Sequence, residues 1–423
     1  MAPDGGTASG AILFAEYAMR NSWILLALAG CLFAGGARAQ DDGEARPFRG
    51  PIEPDRPLAG GYDGAAAALA GVDENPLIAW AYRVWCVTGY RSPEDAGTGQ
   101  SVDDPVNPER DYVSPLGFFH SAGAYRLMPS GGARFLDNAW YFGADGLGAI
   151  VVRTPSGLVL VDTMGRPEDF ERVVLAEMPA AGLDPRDITH VFIGHYHWDH
   201  TGGVNRIREI APDVQVIAGG PDARLIETAR NALLDGGMPD DALAQKAVLA
   251  RNARGETPEA AAELNALRLA AIPERFDVLV EADPGLTTGV LTVPVGEQTE
   301  VTAVLNPGHT PGQISVIVPV EHHGVMHNLL VISGNDNPQE AAQYALSMDY
   351  LRSIAAQRGA DVLINTHGYQ GAMFYHLRRL VDDPDGPNPF LMGRDGIDRF
   401  LGVFANCQRA TFNRLQDGTW DAF

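Results

Sequence analysis

Short apolar runs alternate along this chain with stretches dominated by Gly, Pro, Asp and Ala. Residues 139–142, 149–153 and 158–161 are β-prone and apolar, and Pro155-Ser156-Gly157 joins the last two as a hairpin. Asp162 ends the third run. Pro167-Glu168-Asp169 suits a helix N-terminus and Gly182 its end. Strand patterns return at 188–192 and 214–218. From 222 to about 270 the composition shifts to Ala, Leu, Arg and Glu with helical spacing, broken at Gly236-Gly237 and Gly255. This predicts two or three helices inserted between strands. Strands resume at 278–281, 291–295, 300–305, 315–320 and 329–333. Residues 348–358 read as a helix and 361–364 as a strand. Residues 395–415 read as an amphipathic terminal helix with Ile397, Phe400, Leu401, Phe404 and Phe412 on its apolar side. Strands, helix and strands again, twice over, suit an α/β fold of four layers, αββα, with two sheets face to face and helices outside.

The N-terminal third reads differently. Residues 40 to about 131 are rich in Gly, Pro, Asp and Ala, with one helical stretch at 75–87 and then a loop dense in Pro, Asp and Ser through Pro115. We read an N-terminal extension that wraps the core. Before it, the apolar run 23–34 is too short to span a bilayer comfortably. Arg20 precedes it, and Ala37-Arg38-Ala39 offers small residues at a cleavage site. The expectation is a signal peptide over 1–39, a mature start at Gln40, and a secreted or periplasmic protein. Met19-Arg20 would make a more ordinary signal start than Met1. Leu28-Ala29-Gly30-Cys31 resembles a lipoprotein box, so membrane attachment would follow only if Cys31 is lipidated. The apolar run continues past Cys31, which favours simple secretion. The expected organisation is a signal peptide over 1–39, an extension over 40–131, and a main domain over 132–423 with a helical insert at about 222–270.

Charge narrows the partners. The net charge is −23, and residues 1–39 add nothing to it. Such a surface repels phosphate backbones, so a small-molecule substrate is expected rather than nucleic acid. Lys246 is the sole lysine. Cleavage at Ala39 would leave Cys86 and Cys407. Neither stands in a ligand-like cluster, so each is a structural thiol or the two form a disulfide; spacing does not show proximity.

The chemistry concentrates in residues 194–203, GHYHWDHTGG. His195, His197, Asp199 and His200 place four metal-ligand side chains within six positions, where the apolar run 188–192 gives way to a loop. A regular helix favours i, i+4 pairs and could not aim all four at one point. Two further histidines follow predicted strands. His309 sits in Pro307-Gly308-His309-Thr310-Pro311-Gly312, and His367 in Asn365-Thr366-His367-Gly368. Asp336, in Gly334-Asn335-Asp336-Asn337, also follows a strand but has an ordinary explanation as an Asn/Asp turn. His322, His323 and His327 lie in a hairpin turn region and read as solvated. His120, His190 and His376 have no motif around them.

H-x-H-x-D-H with the P-G-H-T-P-G loop and a later His resembles the metallo-β-lactamase fold superfamily. With the FLDNAWYFG opening at 135–143 and the C-terminal helix, it is most similar to the class B subclass with His-His-His and Asp-His-His zinc sites. The resemblance covers roughly 135–416. It implies the αββα sandwich and a first metal on His195, His197 and His309. It places a second metal on Asp199, His200 and His367, making two Zn²⁺ per chain. It further implies a hydrolase in which a hydroxide shared by the metals attacks an amide, lactam, lactone or ester, β-lactams foremost, with Asp199 orienting that hydroxide. Asp162 would order the ligand loop or simply end its strand. Tyr369 and Asn335 are candidate oxyanion donors.

Three departures from the family qualify this. Many dinuclear relatives have a Gly-Asp whose carboxylate bridges the metals; here Gly334 is followed by Asn335, and Asp336 comes one position late. Tyr196 and Trp198 fill positions often held by smaller residues, where they would line a substrate pocket or brace the loop. The insert has no counterpart in compact lactamases. An iron-dependent oxidoreductase on the same fold, such as a mononuclear dioxygenase, keeps the same motif and is the alternative.

Overall fold

In the computed structural model the described residues are 57–70, 75–86, 111–113, 124–144, 146–249, 258–334, 337–368 and 373–416. The expected signal peptide, Cys31, Gly255, Asn335, Asp336 and Tyr369 lie outside them. All the described residues fall in one unit, Arg46–Trp420.

Two sheets make up the framework. The larger has seven strands in sequence order: β3 (Ala133–Leu136), β4 (Ala139–Gly143), β5 (Gly148–Thr154), β6 (Gly157–Val161), β7 (Ile188–Ile193), β8 (Gln215–Gly219) and β9 (Val278–Val280). The first four are antiparallel neighbours, and β6 through β9 run parallel. The second sheet holds β10 (Gly289–Val295), β11 (Thr299–Leu305), β12 (Ile314–His322), β13 (Val325–Ile332) and β14 (Val362–Asn365), with only the last pair parallel. A short ribbon, β1 (Asp111–Val113) with β2 (Ala124–Arg126), stands apart.

Strand periodicity divides the core. Successive side chains point to opposite faces of a sheet. Ile150, Val152, Phe192 and Ile217 accordingly pack with Val301, Ala303, Leu305 and Val316 of the second sheet. Their neighbours Ala149, Val151, Val191 and Val216 join a separate cluster with Phe170, Val173, Val204 and Ile207. Those come from α3 (Pro167–Phe170), from the turn after it and from α5 (Val204–Ile210), with the single turn α4 (Trp198–Thr201) between α3 and α5. On the second sheet's side lie α9 (Ala341–Arg358), α10 (Met373–Asp382) and α11 (Gly393–Gln416). This is the expected αββα sandwich.

The insert is three helices: α6 (Gly220–Leu234), α7 (Ala242–Leu249) and α8 (Pro258–Ala271). Upstream, α1 (Pro57–Ala70) and α2 (Pro76–Cys86) pack on α11, and Arg399 donates to the Leu69 carbonyl at 2.7 Å. A disulfide between Cys86 and Cys407 ties α2 to α11 across 321 positions of sequence.

Some sequence expectations need correction. The helical stretch beginning at Pro167 breaks into one α turn, a π turn at Glu171–Leu175 and a 3₁₀ turn at Met178–Ala181, closed by Gly182 at φ 70°. α9 starts at Ala341 rather than 348, because the turn Pro338–Glu340 feeds straight into it. Phe412 is exposed, not on the buried face. Beyond Phe404 the buried stripe of α11 runs through Gln408, Thr411 and Arg414, leaving Phe412 to one side. The helices α1 and α10 were not foreseen.

Candidate metal centre

Loops leaving β6, β7, β11, β13 and β14 supply the site, so both sheets contribute. Gly194 follows β7, and a Cβ there would lie 2.1 Å from the Ser333 side chain. Only glycine lets these two strand ends come so close. The Gly194 N–H donates to Asp162 Oδ1 at 2.7 Å. Asp162 itself takes φ 64°, an uncommon conformation for a residue other than glycine. The turn at the end of β6 thus aims its carboxylate at the histidine loop.

His195, His197 and His309 form one set. His195 Nε2 lies 3.1 Å from His197 Nδ1, and His309 Nε2 lies 3.0 Å from the same atom. Asp199, His200 and His367 form the other. His200 Nε2 is 3.2 Å from His367 Nε2, and Asp199 Oδ2 is 3.4 Å and 3.9 Å from those two nitrogens. The sets adjoin: the His195 and His200 rings are 3.9 Å apart, centroid to centroid. All six expected ligand side chains therefore meet in one place.

The far sides of the rings decide what the near sides can do. His200 Nδ1 donates to Asp162 Oδ2 at 2.7 Å, and His367 Nδ1 donates to the Gly146 carbonyl at 3.0 Å. His195 Nδ1 lies 3.1 Å from Ser333 Oγ, whose proton goes to Asp162 Oδ2 at 2.8 Å. With Nδ1 carrying the proton, Nε2 of His195 and His367 presents a lone pair to the centre, and Nε2 of His200 does so once that ring gives up its second proton. Lone pairs facing each other across 3.0–3.2 Å cannot all be joined by protons. A cation resolves this, and a tetrahedral Zn²⁺ with Zn–N of 2.0–2.1 Å sets its nitrogens about 3.3–3.4 Å apart. The donor set fits a metal of that kind.

Electrostatics agree. Burial, with the neighbouring histidines, holds His195 and His309 well below the ordinary imidazole value, so both are neutral. Burial likewise lowers His367 to about 4. Burial alone would lower His200 too, but Asp199 and Asp162 outweigh it and push the ring up to about 10. Burial works against ionisation of Asp199, yet His200 beside it holds the carboxyl below its usual range. Asp162 follows the same balance in the same direction.

Of the other expected positions, Asp162 ends its strand and also holds His200 and Gly194. Tyr196 is 1% exposed and packs with Ile226, Ala229, Leu233 and Ile272 of the insert region. That packing braces the loop. Trp198 is buried as well, and a Cβ at Gly165 would meet its ring at 2.4 Å.

Two residues escaped sequence reasoning. Ser333 looked like the last residue of an apolar strand, and its polarity at that end was the available signal. Asp222 is an acidic residue in the first turn of α6. It is 1% exposed, and its carboxylate accepts from the Tyr196 N–H, the Thr310 hydroxyl and the Gly312 N–H at 2.6–2.9 Å. Burial lifts it to about 7 against the pull of those three donors. Elsewhere, His322 and His323 stack with centroids 4.0 Å apart beside Asp137, and His327 Nδ1 lies 2.9 Å from Asp361 Oδ2. The expectation of solvated side chains there is corrected for His322 and His327, which are partly buried and lie beside carboxylates.

This chain is similar in part to known proteins. Over a shorter stretch, the chain is 31% identical across 128 residues to an atrochrysone carboxyl ACP thioesterase of Pseudocercospora fijiensis, covering 30% of this chain. The chain spans 36% of the length of that curated relative. Among solved structures it is similar to the Rm3 metallo-β-lactamase (19% identity, TM-score 0.48, 70% of this chain and 97% of that one). It is similar also to BJP-1, a subclass B3 metallo-β-lactamase of Bradyrhizobium japonicum (21%, TM-score 0.48, 69% and 96%). Residues 149–323, which hold four of the six metal-facing side chains and His309 as a fifth, match the family model of the metallo-β-lactamase superfamily. Within that segment, 149–323, the chain is similar to the metallo-β-lactamase superfamily.

Proposed function

We propose that this protein is a dizinc hydrolase acting on the carbonyl of a small amide, lactam, lactone or ester, with β-lactams the leading specific candidates. The observation that carries this reading is the convergence of six side chains in two adjoining sets, with the His195, His200 and His367 rings oriented by hydrogen bonds on their far sides. His195, His197 and His309 would hold one Zn²⁺; Asp199, His200 and His367 would hold the other. Bound zinc supplies Lewis acidity and lowers the pKa of water. The protein supplies the rest. Ser333 and Asp162 fix ring orientation, and the ionised Asp199 carboxylate accepts a hydrogen bond from the attacking water and so orients it. The name of the curated relative extends the candidate substrates to thioesters.

The Cys86–Cys407 disulfide supports export to an oxidising compartment. Mass spectrometry of the mature N-terminus tests this: a start at Gln40 is expected, and a lipidated Cys31 would overturn simple secretion.

Metal analysis combined with hydrolysis assays on nitrocefin, lactones and thioesters tests the activity. Two zinc ions per chain with turnover of at least one carbonyl substrate is expected. One iron per chain with no hydrolysis would favour the oxidoreductase alternative.

A further inference from the structure

We propose that Asp222 is a positioning residue that locks together the two loops supplying the first metal set, so that the helical insert is built into the metal centre. The proposal rests on the reading of His195, His197 and His309 as ligands.

Tyr196 stands between His195 and His197, and Thr310 stands next to His309. Asp222 Oδ2 accepts the Tyr196 N–H at 2.9 Å and the Thr310 hydroxyl at 2.6 Å, while Oδ1 accepts the Gly312 N–H at 2.6 Å. One carboxylate therefore bonds both ligand loops, one from each sheet, although 88 to 90 positions separate it from Thr310 and Gly312. All three donors are neutral. A buried carboxylate without a cationic partner is costly unless its oxygens are fully used. Only an ionised carboxylate offers acceptors alone, so an amide of the same shape would turn an N–H against at least one donor.

Backbone packing points to the same joint independently. A Cβ on Gly219 would lie 1.8 Å from the Gly312 carbonyl oxygen, and one on Gly312 would lie 2.3 Å from the Asp222 nitrogen. The start of α6 is thus pressed against the His309 loop at a separation that only glycines permit. The insert then grips the other loop through the Tyr196 ring, which sits among Ile226, Ala229 and Leu233. Loops joined this way hold His309 in register with His195 and His197.

The test uses the full chain and zinc itself, with affinities measured by competition against a chromophoric chelator. Asp222→Asn is expected to weaken one of two zinc equivalents by about 10–100-fold while leaving the other unchanged, the range seen when groups supporting metal ligands are removed. Thr310→Val removes one donor without burying a new polar group. It should fold even if Asp222→Asn does not, and should weaken the same equivalent about threefold or more. A lowered thermal midpoint of the chelated protein with both zinc affinities unchanged in either variant would show a merely structural role and overturn the proposal. Equal weakening of both equivalents would overturn it as well. A wild-type chain that binds no zinc would instead overturn the metal reading, and this proposal with it.

Discussion

Asp162 and His200 share a hydrogen bond of 2.7 Å, Oδ2 to Nδ1, with neither side chain exposed to solvent. On the other edge of the same ring, Asp199 Oδ2 lies 3.4 Å from Nε2. Burial opposes charge on the ring, but the two carboxylates prevail and raise His200 to about 10. In the chelated protein the ring is then an imidazolium throughout the neutral range. A zinc ligand must be neutral, so binding at the second set expels that proton. His367, lowered to about 4, has none to give above pH 5. Zinc affinity at this set should therefore rise about tenfold per pH unit between pH 6 and 9, and level off above the His200 value. Calorimetry in buffers of differing ionisation enthalpy should count about one proton released from His200 for the zinc bound at this set. A pH-independent affinity would show that His200 is already neutral.

Ser333 extends this network to the first set. Its hydroxyl donates to Asp162 Oδ2 at 2.8 Å and receives His195 Nδ1 at 3.1 Å. Ser333→Ala leaves the buried His195 N–H without an acceptor and removes one donor from Asp162. A stranded buried polar group costs about 1–3 kcal/mol, to be read from denaturant unfolding of the chelated protein. Zinc affinity at the first set should fall about tenfold, because nothing then holds the His195 proton on Nδ1. Unchanged affinity would mean that packing alone orients the ring.

How much of this was legible beforehand follows from distance along the chain. The strands of both sheets other than β3 follow local patterns of apolar residues, and those patterns read correctly. The six metal-facing side chains belong to short motifs at strand ends, where sequence and geometry coincide. Ser333 and Asp222 were not legible, because each acts through partners on other elements: Ser333 through Asp162, 171 positions away, and Asp222 through Thr310, 88 positions away. Tyr196 illustrates the same limit. Its position in the motif allows a pocket wall or a brace, and its packing with Ile226 and Leu233 comes from elements that the motif does not contain. Phe412 fitted a helical stripe that tertiary contacts end sooner.

The Cys86–Cys407 bond joins helices whose apolar faces already pack. Leu77, Ile78, Ala81 and Tyr82 of α2 are all buried, as are Phe400, Phe404 and Cys407 of α11. Closing so long a loop stabilises chiefly by restricting the unfolded chain. Replacing both cysteines by serine should lower unfolding free energy by about 2–5 kcal/mol in denaturant titrations and leave zinc content unchanged. Loss of zinc from that variant would instead tie the N-terminal helices to the metal centre.

Asp199 offers the sharpest separation of the two metal sets. It is 6% exposed, and its carboxylate lies against His200 and His367 of its own set. Removing it deletes one of three side chains there and leaves the charged His200 facing the centre with one carboxylate fewer. Asp199→Ala should therefore retain the zinc held by His195, His197 and His309 while losing the other equivalent, giving about one zinc per chain by metal analysis. Hydrolysis should fall by at least about a hundredfold, because both a metal and the group orienting the attacking water are lost together. Asp199→Asn keeps the shape but not the charge and should show the same metal loss to a lesser degree. Wild-type turnover in Asp199→Ala would mean that the reaction does not use this carboxylate, and the proposed two-metal centre would be wrong.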